Sequence, residues 1–144
     1  RTAIEELPST SEWRNVSLKN STRAILNENG GNTTQGGTLP NNFSYSGKAT
    51  RLLTTQEINK TCNITVGTAT PGELDSCNYL MENTKYSSSS LTYGYWLENA
   101  RSGNSTSAWY VGGNYRIVDS LTAKLAGIDG VRPVIEVLKS NIEY

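Results

Sequence analysis

The chain contains no histidine, and that absence narrows its chemistry more than any residue present. Ser-His-Asp and Cys-His catalysis are excluded, as is every His-ligated metal site. Carboxylate pairs, an activated thiol or a lysine remain. The acidic residues are scattered. Glu98, close to Trp96, is the one carboxylate whose aromatic neighbour could raise it into the range of a glycosidase acid, with Asp119 or Asp129 as partner. The plainer reading of Glu98 is a charge at a strand end in solvent. The Gly30-Gly31 and Gly36-Gly37 pairs lack the spacing and the lysine of a phosphate loop, and no EF-hand pattern occurs. No catalytic residue, metal or cofactor is expected.

Binding chemistry is better represented. Between residues 93 and 116 stand Tyr93, Tyr95, Trp96, Trp109, Tyr110 and Tyr115, interleaved with Asn99, Arg101, Asn104, Asn114 and Arg116. Aromatic rings supply contact area at low entropic cost, and amides and guanidinium groups supply hydrogen bonds, a combination found on adaptable recognition surfaces. Strand alternation assigns about half of such aromatics to a core. Trp96 and one of Trp109 and Tyr110 are therefore expected to be structural.

The elements that must position these residues follow from local patterns. Thr54 and Glu57 have capping-box spacing, and Leu53 and Ile58 fit the hydrophobic staple, so a short helix is expected over about 55–61. Leu74, Cys77, Leu80 and Met81 recur at helical spacing and predict a second helix around 73–83. Cys62 and Cys77 close a loop of about 15 residues, a size at which a disulfide contributes roughly 3 kcal/mol. A two-thiolate metal site lacks further ligands, and reduced buried cysteines are the alternative. Tyr93–Leu97, Ser107–Val111, Asn114–Val118 and Val131–Val137 read as strands, with Gly112-Gly113 as a two-residue hairpin turn. Upstream, Trp13, Val16 and Ala24-Ile25-Leu26 suggest a helical face capped by Ser21 or Thr22 and ending at Gly30-Gly31. Residues 30–50 read as a loop pinned by Leu39, Phe43 and Tyr45. Helices followed by strands indicate an α+β fold.

Composition bounds the rest. At 144 residues the chain has room for one core, and Ser, Thr and Asn make up one residue in three. Eleven Tyr and Trp residues at zero formal charge separate it from disordered chains. Thirteen basic and thirteen acidic residues leave no nucleic-acid footprint, and no apolar run is long enough to span a bilayer. Seven N-x-S/T triplets occur, several of which are expected by chance in so Asn-, Ser- and Thr-rich a chain, so they say little about glycosylation. The chain begins at Arg1, so it is read as processed or cut from a longer protein. With the cysteine pair, that places it outside the cytoplasm, extracellular or at a cell surface.

Taken in order, RLLTTQEI, the cysteine pair, GYWLEN, SAWYV and GVRPVIEV resemble a group of bacterial surface domains with the C-type lectin-like fold. The group is similar to the formylglycine-generating-enzyme branch and includes the Fibrobacter major paralogous domains, ligand-binding domains diversified by retroelements, and pilin-like Firmicutes proteins. The resemblance spans roughly residues 50–138. It implies two short helices and a twisted antiparallel sheet in a unit over 50–144; residues 1–49, which the resemblance does not cover, are read as an N-terminal arm and loop packed on it. It also implies a ligand-contacting surface ahead of GVRPV, which here holds Asn99, Arg101, Tyr110, Asn114, Tyr115, Arg116, Asp119 and Lys124. The expected partner is a protein or glycan, and self-association in a surface assembly is the alternative. No cysteine follows Cys77, so the paired thiols of the oxidase branch are missing and its activity does not transfer. The calcium and sugar motifs of true C-type lectins are missing as well.

Overall fold

A computed structural model describes residues 2–32, 42–67, 75, 77, 80, 94–112, 117–122 and 130–142. It is α+β, with one helix and two small antiparallel sheets among these residues. Strand β1 (Thr22–Ala24) pairs with β2 (Asn42–Ser44), placing Arg23 opposite Phe43. The helix expected at residues 21–30 is not formed. Thr22 enters a strand instead, and the chain after Ala24 closes a turn in which Asn27 accepts from the Gly30 amide. Trp13 stays 41 % exposed.

Helix α1 (Thr55–Cys62) begins where the capping box placed it. The Thr54 hydroxyl accepts from the Glu57 amide at 3.1 Å, and the Glu57 carboxylate accepts from the Thr54 amide at 2.9 Å. Asn63 ends the helix in the left-handed region at φ 54°, which an Asn side chain tolerates better than most. Cys62 is bonded to Cys77 with Cα atoms 5.4 Å apart. The second expected helix lies outside the described residues except at 75, 77 and 80.

Strands β3 (Gly94–Arg101), β4 (Asn104–Gly112) and β5 (Ile117–Thr122) form an antiparallel sheet in that order. The β3–β4 turn is Ser102-Gly103, with Gly103 at φ +78°. The two-residue turn expected at Gly112-Gly113 is not formed. Gly112 in fact pairs with Ile117, so four residues, 113–116, separate the paired positions. The Val131–Val137 strand is also corrected. That segment makes one bridge, Val134 with Arg51, in which each amide donates to the other's carbonyl at 2.9 and 3.1 Å.

Two apolar clusters hold these parts. Ile58, Cys62, Val66, Cys77, Leu80, Tyr95, Leu97, Trp109 and Val111 join the helix, the disulfide and one face of the sheet. A smaller one contains Leu7, Tyr45 and Leu52, with Leu18, Phe43 and Val131 against it. Residues 1–49 thus supply buried Leu7, Ile25 and Tyr45.

Candidate functional site

Alternation along β3 and β4 sends Tyr95, Leu97, Trp109 and Val111 into the core and leaves Trp96 and Tyr110 half-buried on the other side. Trp96 and Tyr110 are register partners, and their rings meet at 6.1 Å between centroids with planes inclined by 60°, within the tilted geometry that favours aromatic pairs. Gly94 makes room for them: a Cβ there would overlap the carbonyl of Val111 and lie 3.2 Å from the Tyr110 ring. Trp109 is the structural aromatic. It is 4 % exposed and its indole N–H donates to Glu28 at 3.2 Å. Trp96, expected in the core, instead lies with Tyr110 on the sheet face away from it, and both are half-buried there.

Of the eight expected contact residues, Arg101 is exposed beside the Ser102-Gly103 turn, and Tyr110 is half-buried on the face away from the core. Asp119 sits on β5 as the register partner of Tyr110. Asn114, Tyr115, Arg116 and Lys124 lie outside the described residues. Asn99 corrects the expectation. It is 2 % exposed, because alternation from Tyr95 and Leu97 carries it inward. Its amide oxygen accepts from the Thr55 amide at 2.9 Å, and its nitrogen donates to the Asn27 carbonyl and to Gln56. Asn99 therefore ties the first turn of α1 to the turn after β1.

Glu98 is not the solvent-exposed strand-end charge expected of it. It is 5 % exposed and held by Arg23 Nε at 2.7 Å and the Tyr45 hydroxyl at 3.0 Å. The cause is a bulge. Between the pairs Trp96–Tyr110 and Ala100–Ala108, three residues of β3 (97–99) face the single residue Trp109 of β4. The extra length bends the strand and, with Leu53 and Leu26 covering its outer edge through the Glu98 and Ala100 amides, buries Glu98 and Ala100 along with their neighbours. Asp129, one partner suggested for Glu98, lies outside the described residues.

Charged residues that the sequence reading did not single out form the support beneath this strand. Arg51 is 7 % exposed and donates to both oxygens of Glu57, at 2.6 and 3.0 Å, and to Glu136 at 2.8 Å. Glu136 also accepts from the Lys19 amide at 2.9 Å and lies 3.7 Å from Arg23 Nη1. Burial opposes ionisation of Glu57 and Glu136. Hydrogen bonds from Arg51, backbone amides and the nearby guanidinium charge outweigh it and hold both carboxyls below their ordinary range. Burial, reinforced by the Glu98 charge, pushes the Tyr45 phenol well above its usual value. The two most distinctive sequence segments, RLLTTQEI and GVRPVIEV, thus meet through Arg51, Val134 and Glu136. Their separation of 85 positions hid this from any local pattern, although an arginine and a glutamate inside apolar motifs were the available signal.

Among the described residues no group of three or more Cys, Asp or Glu side chains could hold a metal ion, and no helix is long and apolar enough to cross a membrane. Compared with known proteins, the chain matches no family model, no curated protein and no solved structure.

Proposed function

We propose that the chain is an extracytoplasmic, non-catalytic recognition module built on a C-type lectin-like scaffold and presented at a cell surface. It binds a protein or glycan through the open face of the β3–β4–β5 sheet and the loops beside it, without a cofactor. The observation that carries this reading is the Trp96–Tyr110 pair, half-buried on the face away from the core. A ring pair offers area and polar edges to an incoming surface, and aromatic anchors of this kind dominate binding energies. Exposed Arg101 adds a planar donor at one end of that face. Asn114, Tyr115, Arg116, Asp119 and Lys124 complete the proposed contact set, and Asn99 acts from behind it by fixing α1 to β3. The disulfide suits an oxidising compartment.

The test is binding of the chain to arrays of immobilised glycans and of purified surface proteins. Tyr110→Ala is expected to weaken the captured interaction by about tenfold or more, and Arg101→Ala by less. Equal binding by Tyr110→Ala, with its circular dichroism spectrum unchanged, overturns the assignment of this face.

A second reading, a head domain that packs against copies of itself in a pilin-like assembly, is favoured by the C-terminal segment. Ile135, Val137, Leu138 and Ile142 are there 45–70 % exposed. Sedimentation velocity separates the two readings. Concentration-dependent oligomers abolished by Val137→Ser with Leu138→Ser support self-packing, and a monomer at all concentrations removes it.

A further inference from the structure

We propose that a second site, independent of the aromatic face, binds a single neutral sugar ring in the cleft between β1, the start of α1 and the middle of β3. The cleft has a volume of about 250 Å³, below the roughly 300–1,000 Å³ of pockets for drug-sized ligands. One polyhydroxylated ring is the scale of molecule it admits.

Its lining is polar and electrically compensated. Glu98 and Asn99 line it from the β3 bulge, Gln56 and Thr54 from the start of α1, and Arg23 from β1. Ala24 and Leu26 add an aliphatic patch suited to the C–H side of a ring. The lining is also pre-set. Asn99 is fixed by three hydrogen bonds, Gln56 by its donation to the Asn27 and Glu28 carbonyls, and Thr54 by the capping box. A ligand therefore orders little on entering, which is the condition under which small polar molecules bind measurably.

Charge selects the class of occupant. Glu98 already accepts from Arg23 at one oxygen and from Tyr45 at the other, so a cation finds its negative partner taken. An anion meets Arg23, whose charge is already shared between Glu98 at 2.7 Å and Glu136 at 3.7 Å. Hydroxyl groups meet neither obstacle. Arg23 spends Nε on Glu98, its Nη1 is 3.7 Å from Glu136, and its Nη2 has no hydrogen-bond partner among the described residues. Its side chain is 27 % exposed, so these outer N–H groups are available donors. Thr22 and Asn20, both exposed and lining the cleft, add a hydroxyl and an amide that donate and accept.

The experiment is an amide-resolved NMR titration of the ¹⁵N-labelled chain with galactose, mannose and N-acetylglucosamine, set against glucosamine and N-acetylneuraminic acid as charged probes. At least one neutral sugar is expected to shift signals of residues 20–26, 54–56 and 98–99 saturably, with a dissociation constant on the order of millimolar. Ala24→Tyr, at an exposed strand position outside the ion pairs, is expected to fill the cleft and weaken binding about tenfold or more. Thr22→Ala, a milder change that leaves the ion pairs intact, is expected to weaken it severalfold. Shifts from the charged probes alone, no shifts at tens of millimolar sugar, or an unchanged constant in both variants overturn the proposal. Because the reporting amides differ from those around Trp96 and Tyr110, failure here is distinguishable from failure of the aromatic face.

Discussion

The two apolar clusters among the described residues are set in different surroundings. The larger joins α1 to the sheet through nine apolar residues and a disulfide. The smaller, around Leu7, Tyr45 and Leu52, has three fully buried apolar side chains and is bordered by the cluster of Arg23, Arg51, Glu57, Glu98 and Glu136. In a chain with few aliphatic residues, one region is closed by covalent constraint and hydrophobic burial. The other is closed by charge-assisted hydrogen bonds between segments far apart in sequence. Buried ion pairs contribute little net stability over an apolar substitute, but removing one partner leaves the other uncompensated. The charged region should therefore tolerate single substitutions less well than the apolar one.

Arg51→Ala is the severest way to test that contrast. It strands Glu57 and Glu136 together and should cost about 3–4 kcal/mol in urea unfolding, near the lower end for buried pairs because the two carboxylates keep some water contact. Acid makes the same change by degrees. Glu57 and Glu136 have folded-state pKa values below their unfolded ones, so their contribution is complete above the unfolded value near 4.5 and is lost as pH falls through the folded values. Thermal unfolding followed from pH 7 downward should show this loss in the native protein, whereas Arg51→Ala should show a flatter profile.

In the apolar region, Cys62→Ala with Cys77→Ala should cost about 3 kcal/mol by the loop-closure estimate, and a loss near zero would mean that packing alone suffices there. Gly94→Ala should cost about 1–3 kcal/mol, because its Cβ meets the backbone of Val111 and something must shift. Tyr110 fluorescence and ligand binding should change with it. Thr54→Ala, which removes one half of the capping box, should cost about 1 kcal/mol and leave the sheet untouched by amide exchange.

What was legible in advance is the part governed by neighbours a few positions apart. The Thr54–Glu57 capping box and the α1 boundaries are visible in spacing alone, whereas the spacing of Cys62 and Cys77 permits a disulfide without excluding reduced cysteines. The central strands were visible in their aromatic composition. Around the site, legibility fell away. Arg101 and Tyr110 enter the expected contact set through the family resemblance, and the structure leaves the first exposed and the second half-buried. Asn99 was assigned to the same set, yet the parity of β3 turned it to the first turn of α1. Glu98 reads from its neighbours as a solvent charge or a carboxylate acid, because no local feature announces a bulge that depends on the register of β3 against β4.

By itself, then, the sequence determined the helix with its cap and the exclusion of histidine chemistry, since these depend on residue type and on contacts closed within a few turns of chain. Only the tertiary structure decided that Thr22–Ala24 is a strand, that Gly112 continues β4, and that Arg51 meets Glu136. Each of those outcomes depends on a partner tens of residues away or on strand register, and the hydrogen bonds that select it exist only once the distant segments have met.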